Sequence, residues 1–281
     1  MRAITLAYVP GNEIGDAIKV AERFERKGGL SSAAYLNAMG EDPAAIAAVN
    51  LQALGDYARP DPRRFLSVKA PALGFDLARI ARIAEFAREC EACIHFDSHG
   101  IDAADRTWDC VEHARRVTPN VGLTIPAAWA RSADDAQRAL VLGLRHIRVV
   151  KGAFDLGDLS HADRRARFLA LVENLRGRVM RVGVATHDPQ LAQQAIARLR
   201  DAGTDCELEL LHGLPTRRML PIAQALGVPA RLCVHYGAAW APYSLAQAAR
   251  HPQTVAWIVK DIVHGVGGRI KARFAEQTDR S

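Results

Sequence analysis

Short apolar runs alternate with longer amphipathic runs along most of the chain. The short runs are typical of buried strands, whereas the longer ones repeat their apolar positions with a helical period. The predicted strands are 30–37, 66–73, 92–98, 121–126, 146–152, 181–186, 207–212 and 231–236. The predicted helices include 76–90, 132–144, 160–175, 188–202 and 215–226. Strands that alternate with helices in this number predict an α/β fold, a (β/α)8 TIM-type barrel.

Two of these helices begin at residues that favour helix N-termini. Asp188 stands before Pro189, and Ser132 stands before Ala-Asp-Asp, so both side chains are predicted to cap a helix. No linker rich in Gly, Pro or Ser divides the chain. We therefore expect a single domain over residues 1–281.

Composition and charge narrow the class of protein. The net charge is +6, and the Arg residues are spread along helices, as in the Arg164–Arg167 run, which is typical of a solvated surface. Aromatic residues make up only 6% and do not alternate with basic ones, so a nucleic-acid module is not expected. Peripheral contact with an acidic membrane surface stays open.

The cysteines and the N-terminus indicate the compartment. An odd number of cysteines, five, argues against a disulfide scaffold and for a reducing environment. Cys90 and Cys93 form a CxxC without a second pair, so we interpret them as packing residues between a helix and a strand. The first apolar run is too short to cross a membrane and lacks a cleavage site, so a cytoplasmic protein is expected.

Polar residues gather at the carboxyl ends of the predicted strands, where a barrel of this type places its active site. They are Lys69, His95, Asp97, His99, Arg148, Lys151, Thr186, His187, Asp188, Glu207, Glu209, His212, His235 and Tyr236. A buried charge is costly unless it is paired or used. Any one of them alone could be a structural ion pair, but the whole ring predicts a functional site.

One chemistry for this ring is a metal centre. His95, Asp97 and His99 alternate, so on a strand their side chains would share a face, as in hydrolases that hold divalent metal in a barrel. Arg148 and Lys69 on the same face would repel a cation, and His99 precedes a glycine and falls into the loop. A metal-dependent hydrolase is therefore an alternative, and no metal ligand is predicted.

The second chemistry rests on a resemblance. HIRVVKGAF, residues 146–154, resembles the VRLVKGAY strand of the proline dehydrogenase family of flavin enzymes. LSVKAPAL at 66–73, VATHDP at 184–189 and RLCVHYGAAWAPY at 231–243 resemble that family's SVKLTAL, ATHNP and RVYVPYGxxWxPY, in the same order. The similarity extends over roughly residues 10–265. It implies a (β/α)8 barrel that binds FAD.

The resemblance implies how the KGAF segment meets the cofactor. Arg148 matches an Arg that lies against the flavin ring, and Lys151, Gly152 and Ala153 match residues at the ribityl and phosphate region. Cations and backbone N–H groups at strand tips suit a pyrophosphate. An Arg beside the ring also stabilises negative charge on the reduced flavin.

Other cofactor-binding residues are implied at neighbouring strand ends. Thr186 and His187 match a Thr-His pair at the adenine-side phosphates. Ser98 ends the predicted third strand, in the segment that takes the place of the family's IDAE strand. Pro126 stands where the family has a flavin-contacting Gln, and this departure alters part of the flavin site.

The substrate side is implied by three further matches. Asp97 matches a catalytic-site Asp, and Arg148 is the second predicted catalytic residue. Lys69 matches a Lys that touches the substrate carboxylate. Tyr243 matches a Tyr of the last helix.

The same helix departs from the family in its paired Arg residues. Ala246 and Gln247 occupy their positions, and Arg250, one turn later, is the candidate displaced cation for substrate binding. Losing both charge-assisted contacts costs about 1.5–3 kcal/mol each. The resemblance therefore implies a divergent member for which proline itself is a doubtful substrate.

The expected function is a FAD-dependent oxidoreductase that oxidises a C–N bond of a cyclic or secondary amine or amino acid. Hydride would pass to flavin N5, and electrons would leave to a quinone or another acceptor. A catalytically inactive binding or regulatory barrel is the other alternative. The sequence indicates no oligomeric state.

Overall fold

Eight parallel strands close into a barrel, each hydrogen-bonded to its neighbours in sequence order. The structure, a computed structural model, describes residues 10–152 and 160–238. The strands are β1 Leu30–Tyr35, β2 Phe65–Val68, β3 Cys93–Phe96, β4 Val121–Pro126, β5 His146–Val150, β6 Arg181–Ala185, β7 Asp205–Leu211 and β8 Ala230–Tyr236. The predicted (β/α)8 barrel is confirmed. Strand β2 is shorter than predicted because the chain turns after Val68, where Leu73 N donates to Lys69 O.

Helices follow the strands on the outside of the barrel. They are α1 Ile14–Glu25, α2 Pro43–Ala53, α3 Leu77–Glu89, α4 Ala104–Val117, α5 Ser132–Leu142, α6 His161–Leu175, α7 Pro189–Asp201 and α8 Leu220–Ala225. Cys90 follows α3 and Cys93 begins β3, both buried and unbridged, as the sequence predicts. No helix in the described part of the chain is both long and apolar enough to cross a bilayer.

One predicted helix cap is confirmed and the other is wrong. The Asp188 side chain accepts a hydrogen bond from Leu191 N at 3.1 Å and caps α7. Ser132 instead lies inside α5, and Arg131 precedes the helix. The buried Ser132 hydroxyl donates to Pro126 O at 2.5 Å and to Trp129 O at 2.8 Å, because carbonyl groups of the β4–α5 connection surround it.

The apolar core lies between the strands and the helices, whereas the space that the strands enclose, here called the lumen, is polar. Side chains alternate along a strand, so Ile147 and Val149 of β5 pack outward and His146 and Arg148 face the lumen. The buried polar residues of the strands include Ser67, His95, Thr124, His146, Arg148, Glu207, Glu209 and Arg231. Aliphatic side chains usually fill this space in such barrels.

A glycine in β6 lets distant strands meet across the lumen. Gly183 pairs with Arg148 of β5 on one side and with Glu207 of β7 on the other. Since β6 has no side chain at this position, β5 and β7 side chains contact each other directly. A Cβ on Gly183 would overlap the Glu209 carboxylate.

Candidate functional site

Arg148 is the centre of the predicted site. Its Nε donates to Glu209 Oε2 at 2.7 Å, and its Nη1 donates to Asp97 Oδ1 at 2.9 Å. Burial alone would lower the pKa of Arg148, but the two carboxylates outweigh it and raise the pKa above its usual value. The guanidinium is therefore charged at any physiological pH. Its Nη2 is buried and has no hydrogen-bond partner among the described residues.

Lys69 and Asp97 lie beside Arg148, as predicted. Lys69 Nζ is 3.8 Å from Asp97 Oδ2 and donates to Tyr35 O at 2.7 Å. Burial lowers the pKa of Lys69, and Asp97 offsets this only in part. Burial also opposes ionisation of Asp97, but Lys69 and Arg148 outweigh it and hold the pKa of Asp97 below its usual range. The cluster thus combines a carboxylate, a guanidinium and an amine of reduced basicity.

Neutral imidazoles surround this cluster at the carboxyl ends of the strands, the mouth of the barrel. Burial lowers the pKa of His212 to about 4. Burial and the Lys69 ammonium lower that of His235 to about 3. Burial also lowers the pKa of His99. The Nε2 atom of His212 is buried without a hydrogen-bond partner among the described residues. The sequence placed these residues at strand ends, but no site role followed from the resemblance.

The predicted phosphate-binding residues lie on the β5 and β6 side of the mouth. Lys151 Nζ is 3.4 Å from Asp188 Oδ2, and Thr186 Oγ1 accepts from Asp188 N at 3.1 Å. Gly152 has a φ of 92°, a conformation that favours glycine. Arg165 of α6 contacts the same Asp188 carboxylate. Sequence reasoning missed Arg165 because the run of Arg residues around it is typical of a solvated helix.

His187 makes two hydrogen bonds to the backbone. Its Nδ1 lies 3.1 Å from Pro215 O, and its Nε2 accepts from Leu211 N at 3.0 Å. Burial lowers the pKa of His187, so the ring is neutral with its proton on Nδ1. The ring therefore ties the β6 loop to the end of β7, and its predicted phosphate contact would have to replace one of these bonds.

Ser98 and Pro126 line a cleft beside β4. Ser98 Oγ donates to Thr124 O at 2.5 Å, and Pro126 ends the strand. The cleft contains about 300 Å³ of space, part of which is open solvent. Its lining comprises Ser98, His99, Ala104, Thr107, Trp108, Leu123, Thr124, Ile125, Pro126, Trp129 and Asp135. The buried Trp129 Nε1 has no hydrogen-bond partner among the described residues.

Several predicted site residues lie outside the described residues. They are Ala153, Tyr243 and Arg250, together with Ala246 and Gln247 at the positions of the paired Arg. Their roles at the cofactor and at the substrate carboxylate stay predictions.

The residues of the alternative metal site do not share one face. Strand β3 ends at Phe96, so His99 falls in the loop, where its Nδ1 lies 3.3 Å from Asp97 O. The ring nitrogens of His95 lie 3.0 Å from Thr124 Oγ1 and 3.2 Å from His146 Nδ1. Thr124, His146 and the cations on Asp97 thus occupy the positions where a metal would bind.

A second group of potential donors is also engaged. Atoms of His146, Glu207 and Glu209 lie within 4.8 Å of one another. Arg231 holds Glu207 with an Nε–Oε1 distance of 2.5 Å, and Arg148 holds Glu209. A divalent cation placed among them would face both guanidinium groups at close range. Their charges compensate one another without an ion.

Comparison with known proteins finds similarity in structure only. No protein-family model matches the sequence, and no curated protein matches it. Among solved structures, the chain is similar to proline utilization A (PutA) from Bdellovibrio bacteriovorus inactivated by N-propargylglycine. The TM-score is 0.74 and the identity 13%, over 84% of this chain and 31% of that one.

Two mutant forms of proline utilization A from Bradyrhizobium japonicum are similar as well. Their TM-scores are 0.66 and 0.65 at 18% identity, over 84% and 82% of this chain and 29% of theirs. The chain therefore spans less than a third of the length of these proteins. Over most of its length it has the fold of a segment of proline utilization A.

Proposed function

We propose that the chain is a flavin-dependent oxidoreductase, similar to proline dehydrogenases, that oxidises a C–N bond of a cyclic or secondary amine or amino acid. The observation that carries the proposal is the Asp97–Arg148–Lys69 cluster at the mouth, in which Arg148 Nη2 has no partner among the described residues. The sequence resemblance and the shared fold with proteins of proline utilisation support the same assignment.

The donor set fits FAD. The unpartnered Arg148 Nη2 is a charged donor suited to the carbonyl edge of a flavin ring. Lys151 and Arg165 would supply cations for the phosphates. Thr186 contacts the same Asp188, and Gly152 and Ala153 follow Lys151 in the sequence. A bound flavin would supply the hydride acceptor and pass electrons to a quinone or another acceptor. Ser98, Pro126 and His187 complete the proposed cofactor set.

The residues of the chain itself would bind and orient the amine. Asp97 stays a carboxylate and can accept a hydrogen bond from the substrate nitrogen. Lys69 has a lowered pKa and a fixed bond to Tyr35 O, so it presents its remaining hydrogens toward the mouth. Tyr243 and Arg250 are the proposed further substrate contacts. Because Ala246 and Gln247 replace a carboxylate clamp, the substrate would lack a carboxylate or bind it elsewhere.

One observation favours the alternative of a barrel that binds without catalysis. The Asp188 carboxylate already pairs with both Lys151 and Arg165. It therefore competes with a phosphate for the two cations that would hold it.

The test is an absorbance spectrum of the purified chain before and after FAD is added, followed by anaerobic addition of amines. Bound flavin that is bleached by pyrrolidine more readily than by proline supports the proposal. Flavin that binds and is bleached by neither, across a panel of secondary amines, favours the non-catalytic barrel. A chain that takes up no flavin contradicts both the cofactor assignment and the proposed reaction.

A further inference from the structure

A chain of buried hydrogen-bonding groups continues from the mouth into the lumen. Thr124 Oγ1 lies 3.0 Å from His95 Nε2, and His95 Nδ1 lies 3.2 Å from His146 Nδ1. His146 Nε2 then lies 3.3 Å from Glu207 Oε1 and 3.3 Å from Glu209 Oε1. His95 and His146 are 0% and 2% exposed, so water does not compete for these atoms.

The contacts determine where hydrogens can sit. His146 Nε2 lies 3.3 Å from Glu207 Oε1 and from Glu209 Oε1, although neither approach has hydrogen-bond geometry. An unprotonated nitrogen there would repel both oxygens, so we assign it a hydrogen. Burial opposes ionisation of Glu207, but the Arg231 guanidinium outweighs it and lowers the pKa of Glu207. Only one of the facing Nδ1 atoms of His95 and His146 can carry a hydrogen, because each would otherwise point a donor at a donor.

Two arrangements of hydrogens satisfy the contacts that join Thr124, His95 and His146. In the first, the Thr124 hydroxyl donates to His95 Nε2, and His95 Nδ1–H donates to His146 Nδ1, with both rings neutral. In the second, His146 carries both hydrogens, and His95 Nε2–H donates to Thr124 Oγ1. The two arrangements differ by one proton. His95 is neutral in both, which agrees with the lowering of its pKa by burial and by Arg148.

Two glycines make room for this chain. A Cβ on Gly122 of β4 would overlap His95 Nδ1, and a Cβ on Gly183 of β6 would overlap the Glu209 carboxylate. Gly122 is also the register partner of His146. The neighbouring strands thus leave the rings and the carboxylate the space in which they meet.

We propose that Thr124, His95 and His146 form a proton relay that stores one proton between Glu207 and Glu209. A proton that arrives at the Thr124 oxygen displaces the hydroxyl hydrogen to His95 Nε2. The hydrogen on His95 Nδ1 then moves to His146 Nδ1, and His146 becomes an imidazolium. Only O–H and N–H bonds form and break, and the reverse sequence returns the proton to the mouth.

An imidazolium at His146 would have two carboxylates as counter-ions, each of them shared with a guanidinium group. The groups that face it or bind its carboxylate partners are His95 from β3, Glu207 and Glu209 from β7, Arg148 on β5, Arg231 from β8 and Arg181 from β6. Arg148 binds the other oxygen of Glu209, whereas Arg231 shares Glu207 Oε1 with His146. The ring of Phe65 packs edge-on against His146, with 4.9 Å between ring centroids.

The relay begins beside the catalytic cluster. Thr124 Oγ1 accepts from Arg148 Nη1 at 3.4 Å and also lines the cleft next to β4. An amine must lose its ammonium proton before hydride can leave the adjacent carbon. This role of the relay rests on the proposed function, but the relay itself does not.

The test is nuclear magnetic resonance of the full chain with 15N-labelled histidine, titrated from pH 8 to pH 5 without flavin. The contact with Phe65 assigns His146, so no variant is required. We expect His146 to gain its second ring proton while His95 changes from the Nδ1–H to the Nε2–H form at the same midpoint. Fixed tautomers over the whole range, or two independent midpoints, would overturn the relay.

A matched pair of variants tests the link to the mouth. Thr124→Val removes the oxygen that donates to His95 Nε2 in the first arrangement and accepts from it in the second, so proton exchange at His95 and His146 is expected to slow. Thr118→Val removes a buried hydroxyl whose oxygen accepts from Asn120 N at 3.3 Å before β4, and should leave the exchange rate unchanged. Equal rates in both variants would contradict the role of Thr124.

A separate experiment tests whether the relay takes part in catalysis. In the flavin-loaded protein, Thr124→Val should shift the pH profile of flavin reduction by an amine, and Thr118→Val should not. An unshifted profile together with coupled tautomers would overturn the catalytic role and leave the relay intact. Coupled tautomers in a chain that takes up no flavin would likewise support the relay while the proposed function fails.

Discussion

Arg148 donates to two carboxylates, Glu209 on β7 and Asp97 after β3, and its Nη2 has no hydrogen-bond partner among the described residues. A guanidinium can bind both carboxylates and keep a third donor atom for a ligand because its donors form a planar fork. The orientation of the spare Nη2 is therefore set by the two carboxylates before any ligand binds. Preorganisation of this kind reduces the entropy lost on binding.

Arg148→Lys tests this arrangement at the level of one residue. Lysine keeps the charge, and hence the balance with Glu209 and Asp97, but it loses the fork. We expect FAD to bind about 10- to 100-fold more weakly, the equivalent of one charge-assisted hydrogen bond. Fluorescence titration of FAD measures the change.

Arg138→Lys is the control for Arg148→Lys. Arg138 makes its own forked contact with Glu112 on the outside of the barrel. The substitution Arg138→Lys should therefore leave FAD affinity unchanged. Equal effects of the two substitutions would show that Arg148 has no special contact with the cofactor.

The position of a single residue was predictable from sequence where it stands at the end of its own strand. Arg148, Lys69 and Asp97 were expected at the mouth, and the structure brings them together. Their roles stay predictions. The partnership of His146 with Glu207 and Glu209 was not found. It depends on which strands face each other across the lumen and on the missing side chain of Gly183.

Helix α7 begins at the side of the mouth where we propose that phosphates bind, and its N-cap residue has two functions. Asp188 caps the helix and also neutralises Lys151 and Arg165. The Asp-Pro pair predicted this helix start correctly. The same type of signal failed at Ser132, because the folded chain surrounds that hydroxyl with carbonyl groups that a local pattern does not reveal.

Asp188→Asn separates the two functions of this helix start. Asparagine caps a helix about as well as aspartate, so we expect the free energy of unfolding to change by no more than about 0.5 kcal/mol. The two cations lose their counter-ion, so FAD should bind about two- to fivefold more tightly. Urea denaturation and FAD titration measure the two effects.

Asp76→Asn is the matched control. Asp76 caps α3 in the same way and pairs with Arg79, far from the proposed phosphate site. The substitution Asp76→Asn should change neither FAD affinity nor the free energy of unfolding appreciably. Weaker FAD binding in Asp188→Asn would indicate that Asp188 supports the cofactor rather than competing with it.

At the scale of the whole molecule, the barrel encloses neutral imidazoles that an unfolded chain would charge. Burial lowers the pKa of His95, of His212 to about 4 and of His235 to about 3. The unfolded chain titrates these groups near an ordinary value of about 6.5. Between these values the unfolded state binds more protons, so stability is complete above pH 6.5 and falls as the pH decreases.

We therefore expect the free energy of unfolding to decrease by up to about 1.4 kcal/mol per pH unit for each of these histidines below pH 6.5. Urea denaturation at pH 8, 7, 6 and 5 measures the slope. His212→Gln removes one of these groups and should reduce the slope. A stability that stays level from pH 8 to pH 5 would contradict the neutral state of the three rings.

The polar lumen also has a thermal consequence. When a protein unfolds, exposure of apolar surface raises the heat capacity, whereas exposure of polar groups lowers it. Much of what this barrel exposes from its centre is carboxylate, guanidinium, imidazole and hydroxyl, in place of the aliphatic layers common in the fold. The heat-capacity change of unfolding is accordingly smaller than for an aliphatic barrel of equal length. The curve of stability against temperature is flatter, so the protein loses less of its stability on cooling.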